Sequence, residues 1–217
     1  MLKGEPIIIC VVKTALSCRT IDRAIVATDD QRIYDIVKSA GFEVKMTSED
    51  HPSGTDRIAE VASGIDDDIV VNIQGDEPMI DTVSVDLAVE ALIEDSTLNV
   101  STLCVAISDE ESNDPNAVKV VTDNDGFALY FSRAPIPFDR DGDGTVMKKH
   151  LGFYVYRRKF LLEYAELAPT ELEKVEKLEQ LRIIQNGFKI KVITAARDSI
   201  GIDTPEDLIK AEGLPNV

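Results

Sequence analysis

Histidine is nearly missing from this chain: His51 and His150 are the only two in 217 residues, and tryptophan is absent altogether. Two imidazoles exclude a multi-histidine metal centre. Cysteine is sparse. Cys10, Cys18 and Cys104 form no CxxC pair and sit in apolar or helical stretches, which suits packed thiols in a reducing compartment. Long hydrophobic runs are lacking too. The longest, Ile7 to Val12, is far too short to span a bilayer, and the N-terminus has no secretory pattern. Both absences point to the cytoplasm. Basic residues are outnumbered, 23 Lys and Arg against 40 Asp and Glu, for a net charge of −17. That balance argues against sequence-independent binding to nucleic acid. Any polyanionic substrate must therefore be received locally, by a few Arg, Lys or metal ions acting against the overall field. The familiar signatures GxGxxG after a strand, GxxxxGK[ST], HExxH and GxSxG are missing as well.

What remains is an alternation of helical and strand patterns. Glu5–Cys18 reads as an apolar helix and Ala24–Thr28 as a short buried strand. Asp29 and Asp30 cap a helix that Gly41 stops. Glu43–Met46 is strand-like, Ser53-Gly54-Thr55 opens a helix through Ala62, Ile69–Ile73 is another buried strand, and Thr82–Glu94 is helical. Apolar strands separated by helices predict an α/β domain with a mainly parallel sheet covered on both faces. From about residue 99 to 156 the pattern changes to strands at Ser101–Ile107, Ala117–Thr122, Phe127–Phe131 and Leu151–Tyr156, with a turn at Asp123–Gly126 and a loop over 133–149. This predicts a smaller antiparallel lobe. One charged amphipathic helix is expected over 171–186, then a strand over 188–194, then a helix capped by Thr204 with Pro205 at its first turn. The whole chain, 1–217, is read as a single domain.

Three segments could carry chemistry. Asn72-Ile73-Gln74-Gly75-Asp76-Glu77-Pro78 lies at the carboxyl end of a predicted parallel strand, where open α/β sheets bind ligands. Gly75 permits close backbone approach and Asp76 offers oxygen ligands to Mg²⁺; the alternative is a plain strand-to-helix turn. Gly201-Ile202-Asp203-Thr204-Pro205 places a second Asp after a strand and before a capped helix. Two such aspartates form a plausible split magnesium site, although Asp203 or Thr204 as N-cap is the competing reading. His51-Pro52-Ser53-Gly54-Thr55-Asp56-Arg57 is a small-residue turn at a helix start whose N–H groups, with Arg57 one turn in, could hold a base or phosphate, or simply cap. Asp139, Asp141, Asp143 and Gly144 imitate half an EF-hand. His150 stands where the closing Glu belongs, and Pro135 and Pro137 spoil the preceding helix, so a solvated loop is expected there.

Taken together, HPSGTDRIAEV, VVNIQGDEPMI, DPNAVKVV, ALYFSRAPIPFDRD, HLGFYVYR, VEKLEQLR and GIDTPEDL resemble, in order and from about Gly4 to Leu208, the CMP-Kdo synthetases (3-deoxy-manno-octulosonate cytidylyltransferases). The resemblance implies a Rossmann-like nucleotidyltransferase fold, a homodimer, and transfer of CMP from CTP to Kdo for lipopolysaccharide assembly; if the chain dimerises, the antiparallel lobe over about 99–156 is the expected interface. It implies Asp76 and Asp203 as Mg²⁺ ligands. Ser53, Gly54, Arg57 and Gln74 would line the nucleotide pocket. Arg133, His150, Tyr154, Glu179 and Gln180 match sugar-site positions, with Pro137 in the wall nearby. Arg133 would clamp the sugar carboxylate in a bidentate fork.

The resemblance sets in after the first strand and basic, glycine-containing loop with which that family begins, and Glu5 stands where the family reads lysine. Taken as they stand, these residues are expected to lack measurable cytidylyltransferase activity. Two other functions stay open: a sibling cytidylyltransferase for 8-amino-8-deoxy-Kdo or another acidic sugar, and a non-catalytic nucleotide-binding or scaffold protein.

Overall fold

The computed structural model describes residues 1–142, 144–199 and 201–213. Pro6 introduces helix α1 (Ile7–Ser17), followed by strand β1 (Ile25–Thr28), α2 (Gln31–Ser39) and β2 (Glu43–Met46). Asp30 caps α2 through the Arg32 N–H at 2.7 Å, and Gly41, at φ +82°, reverses the chain after it. Next come α3 (Gly54–Ser63), β3 (Ile69–Asn72) and α4 (Thr82–Glu94), with Ser53 and Asp81 as the two caps. The second half holds β4 (Val100–Ala106), α5 (Asp109–Ser112), β5 (Lys119–Thr122), β6 (Ala128–Ser132) and the long β7 (Lys148–Arg157). It continues through α6 (Arg158–Ala165), α7 (Glu171–Glu176), α8 (Leu181–Gln185), β8 (Lys191–Thr194) and α9 (Pro205–Glu212).

The α/β class expected from the pattern is what forms, and its sheet is mixed. β1 and β2 make a parallel pair of their own. In the main sheet the order is β6-β5-β7-β4-β8, with β3 also on β7. β8 runs parallel to β4, while β7 runs antiparallel to β3, β4 and β5. The antiparallel strands of residues 99–156 therefore share one sheet with β3 and β8. β4 takes one edge of β7 along both its halves. The other edge is divided, with Lys149 pairing to β5 and residues Tyr154 to Arg157 pairing to β3. The His150 N–H still reaches the Val118 carbonyl at 2.7 Å, and between there and Tyr154 residues 151–153 pair with neither strand.

Side chains alternate along β7. Leu151, Phe153 and Val155 point into a core formed with α4, where Val85, Ala88, Val89 and Leu92 are buried. The opposite face carries His150, Gly152 and Tyr154 and then Tyr156, which joins a second core with Phe131, Phe160, Leu161 and Tyr164. A third cluster, Ile9, Val12, Val26 and Val37, holds the β1–β2 pair to α1 and α2. No helix among the described residues is long and apolar enough to cross a membrane.

The expected helix over 171–186 is two helices. Lys177 adopts the left-handed conformation (φ 55°, ψ 47°) and closes α7 with its N–H on the Glu173 carbonyl. The next helical acceptors are taken from outside the segment: Arg133 Nε donates to the Glu176 carbonyl at 2.8 Å and Nη2 to the Lys177 carbonyl at 3.4 Å. A tertiary contact thus overrides a 3.6-residue pattern. In the 133–149 loop, Asp139 accepts from the N–H groups of Gly142, Gly144 and Thr145 at 2.9, 2.9 and 3.2 Å, so its carboxylate closes the loop on itself. Asp143 lies outside the described residues.

The two short helices are tied by a buried ion pair. Arg182 Nε donates to Glu173 Oε2 at 2.9 Å, both side chains are about a tenth exposed (8% and 11%), and the guanidinium lies 5.2 Å from the Tyr164 ring centre. Breaking a buried pair by removing one partner costs about 3–5 kcal/mol. Glu173→Ala is therefore expected to lose about 3 kcal/mol or more of unfolding free energy in urea titrations. A loss no larger than an exposed pair's, below about 1 kcal/mol, would contradict the role given to it.

Candidate active site

The carboxyl end of β3 runs into a tight turn in which the Glu77 N–H returns to the Gln74 carbonyl at 3.2 Å. That turn presents Asp76 toward the segment between β8 and α9. The Ile202 N–H donates to the Asp76 carbonyl at 2.8 Å. Gly201 lies alongside, where a Cβ would be in ordinary van der Waals contact with Asp76 Oδ2 at 3.6 Å. Asp203 follows directly, ahead of the Thr204–Asp207 capping box that starts α9. Burial raises the Asp76 carboxyl above the usual range, and the adjacent Asp203 raises it further through its charge and a hydrogen bond. The two aspartates meet.

Glu77, next to Asp76, is held up at about 7, by burial first and then by the charge of Asp76, and its Oε2 is buried without a hydrogen-bond partner. Two like-charged carboxyls crowded at one place are a poor arrangement by themselves and a good one for a small divalent cation, which would remove their repulsion. No group of three or more His, Cys, Asp or Glu side chains among the described residues could hold a metal. A cation on this pair would thus draw its other ligands from substrate phosphate and water, which is the habit of Mg²⁺.

Against β7, and bordered by Gln74 from the turn that leads to Asp76, lies a cavity of about 400 Å³. Its β7 side is His150, Gly152 and Tyr154, and its helical wall is the turn Lys177-Leu178-Glu179-Gln180. Four of the five expected sugar-site residues therefore line one pocket. His150 Nε2 meets the Thr102 hydroxyl at 2.9 Å, and its ring stands between Phe131 and Tyr154, with centroids 4.9 and 5.4 Å away. Burial pushes the imidazole down to about 3, so it is neutral at physiological pH. Tyr154 stacks on Tyr156, and burial raises its hydroxyl pKa well above normal, which keeps it a proton donor. Glu179 Oε2 accepts from Thr55 at 3.0 Å while its Oε1 is buried and unpartnered, an acceptor in waiting. Gln180 is buried at the start of α8.

Arg133 stands behind this pocket and does not line it. Its guanidinium is occupied by three carbonyls, those of Glu176, Lys177 and Pro115, the last at 2.9 Å. Its backbone N–H donates to Glu176 Oε2 at 3.0 Å. Pro137, in a cis peptide with Ile136, also lies off the lining.

A larger cavity, about 710 Å³, separates the β1–β2 pair and α1 from β3. Gly54, Arg57 and Gln74 line it. Arg57 is anchored by Asp29 at 2.7 Å and by the Thr47 hydroxyl. Ser53 is engaged as the cap of α3, accepting from the Asp56 N–H at 3.2 Å and donating to its carboxylate at 2.6 Å. Gln74 lines both cavities and donates to the Gly152 carbonyl at 3.4 Å.

Asn116, Gly152, Lys177 and the buried Glu77 escaped the sequence reading. Asn116 and Lys177 sit inside the ordered motifs DPNAVKVV and VEKLEQLR, which was the available signal. Nothing in the sequence marks Lys177 as a helix break.

A family model for cytidylyltransferases matches residues 1–191. A 3-deoxy-manno-octulosonate cytidylyltransferase of Trichlorobacter lovleyi is 48% identical over 223 residues, covering 97% of this chain and 88% of the relative. One of Solibacter usitatus is 53% identical over 192 residues, covering 88% and 76%. The solved structure of a CMP:2-keto-3-deoxy-manno-octonic acid synthetase complexed with CTP superposes with a TM-score of 0.94 at 41% identity, covering 98% of this chain and 88% of that one. A 4-diphosphocytidyl-2C-methyl-D-erythritol synthase of Anaerococcus prevotii shares the fold at a TM-score of 0.63 and 15% identity.

A neutral buried His150 has a thermodynamic signature. As pH falls from 6.5 towards about 3, the unfolded chain takes up a proton at this residue that the folded chain refuses. Stability is therefore expected to fall with decreasing pH across that window, approaching about 1.4 kcal/mol per pH unit from this group. His150→Gln is expected to remove that component from the pH profile of urea unfolding. Parallel profiles for the two proteins would contradict a buried neutral imidazole.

Proposed function

Because the chain belongs to the cytidylyltransferase family, among the 3-deoxy-manno-octulosonate cytidylyltransferases, we propose that it transfers CMP from CTP to Kdo and releases pyrophosphate. The observation that carries this reading is the junction at Gln74: one side chain borders both a large cavity lined by Gly54 and Arg57 and a small polar pocket lined by His150, Tyr154, Glu179 and Gln180. The Asp76–Asp203 pair lies one residue beyond the wall of the larger cavity.

In this reading Gly54, Arg57 and Gln74 receive the nucleotide, with Ser53 fixing the helix start that presents them. His150, Tyr154, Glu179 and Gln180 orient the sugar by hydrogen bonds. Glu179 Oε1 is the acceptor best suited to a sugar hydroxyl, because a hydroxyl there satisfies an otherwise orphaned buried oxygen. Arg133 acts as a positioning residue, through the loop whose carbonyls it holds. Mg²⁺ on Asp76 and Asp203 would offset phosphate charge and favour ionisation of the attacking anomeric hydroxyl. No covalent intermediate with the protein is required, and the rate comes from positioning and electrostatics.

The same reading takes the chain as one nucleotidyltransferase domain acting in the cytoplasm. It forms a homodimer through residues 99–156, where Leu129, Phe138 and Val146 are exposed apolar side chains.

Pyrophosphate release from CTP, assayed with Mg²⁺, tests the proposal. Release that requires Kdo and is not supported by N-acetylneuraminate is expected. Faster turnover of 8-amino-8-deoxy-Kdo would shift the assignment to the sibling enzyme. CTP binding in calorimetry with no turnover of any acidic sugar would instead make it a nucleotide-binding scaffold.

A further inference from the structure

We propose that Lys177 is the specificity-determining cation that takes the carboxylate of the acidic sugar. This rests on the transfer reaction proposed above. Among the residues lining the small pocket, Lys177 is the one that brings positive charge. His150 is neutral there, and Glu179 is an acid whose unpartnered oxygen would repel a carboxylate while accepting a hydroxyl. One wall of the pocket thus carries both a hydroxyl acceptor, Glu179, and a cation, Lys177, two residues apart. A sugar bearing hydroxyls and a carboxylate can satisfy both.

The geometry around Lys177 is what sets it apart from an ordinary surface lysine. Its left-handed backbone is unfavourable for a residue with a Cβ and persists only where the surroundings enforce it. Those surroundings form a brace. Arg133 holds the carbonyls on both sides of the turn, and Glu176, just before it, accepts from the Arg133 N–H at 3.0 Å and the Ser132 hydroxyl at 2.7 Å. The bend takes Lys177 off the axis of α7 and places it on the pocket wall with Leu178, Glu179 and Gln180. Its side chain forms no hydrogen bond or ion pair with any described residue, in a protein whose acids outnumber its bases. Arg133, the obvious candidate for the carboxylate, does not line the pocket and spends three of its five guanidinium N–H groups on main-chain carbonyls, which leaves Lys177 as the cation on the pocket wall.

Steady-state kinetics of the natural protein with Lys177→Gln, Lys177→Arg and Lys177→Gly test this. Loss of one charge-assisted hydrogen bond corresponds to about a 10- to 100-fold effect. Lys177→Gln is expected to raise KM for Kdo by about that factor while leaving KM for CTP unchanged. Lys177→Arg is expected to recover most of the loss. Lys177→Gly, which suits the left-handed backbone, should lose sugar affinity like the Gln variant without losing thermal stability, and that separates charge from fold. The C1-amide of the sugar should bind wild type and Lys177→Gln alike. Wild-type turnover of Kdo with an unchanged KM in Lys177→Gln overturns this proposal and leaves the reaction standing. An equal rise in both KM values also overturns it. Absence of sugar-dependent turnover in the wild type overturns the reaction and the proposal together.

Discussion

The proposed function depends on one feature of the fold, the meeting of two carboxylates from distant parts of the chain. Asp76 leaves the end of β3, Asp203 precedes α9, and a backbone hydrogen bond from Ile202 to the Asp76 carbonyl sews the two segments together. Their mutual repulsion, on top of burial, raises the Asp76 carboxyl. A fold optimised only for stability would keep the two apart, so the crowding is best understood as preparation for a cation that arrives with its phosphate ligands.

The small polar pocket, proposed to take the sugar, arises from a second constraint, the length of β7. The four-residue strands β3 and β5 leave residues 151–153 unpaired on one edge of the ten-residue β7, and His150, Gly152 and Tyr154, at and beside that stretch, line the pocket from a single face. The same alternation sends Leu151, Phe153 and Val155 into the core against α4, so the wall of the pocket is also the rigid centre of the molecule. The pocket's other wall is a helix break held open by Arg133. One wall is rigid through core packing, the other through hydrogen bonds.

Much of this was legible in the sequence, and for identifiable reasons. Helix starts at Asp30, Ser53 and Thr204 were visible because capping is local chemistry, and short apolar strands such as Ile69–Asn72 stand out between them. The motif order pointed to four residues that share one pocket and to the two aspartates that meet. The reversal of β7 between β3 and β4 was not legible, because strand direction within a sheet depends on pairing partners and the local pattern is silent about them. The split of 171–186 was hidden for a related reason. Lys177 is neither Gly nor Asn, and what bends the chain there is an arginine more than forty residues away. Arg133 itself carried a readable motif, while the atoms to which it commits its donors could be known only from the fold.

The claim at the centre is that Asp76 and Asp203 hold one cation jointly. It is tested most directly by titrating Mn²⁺ into the protein with CTP present and following free ion by its electron paramagnetic resonance signal. The account predicts a single site per chain that disappears in Asp76→Asn and, separately, in Asp203→Asn. Undiminished binding in either variant would contradict it.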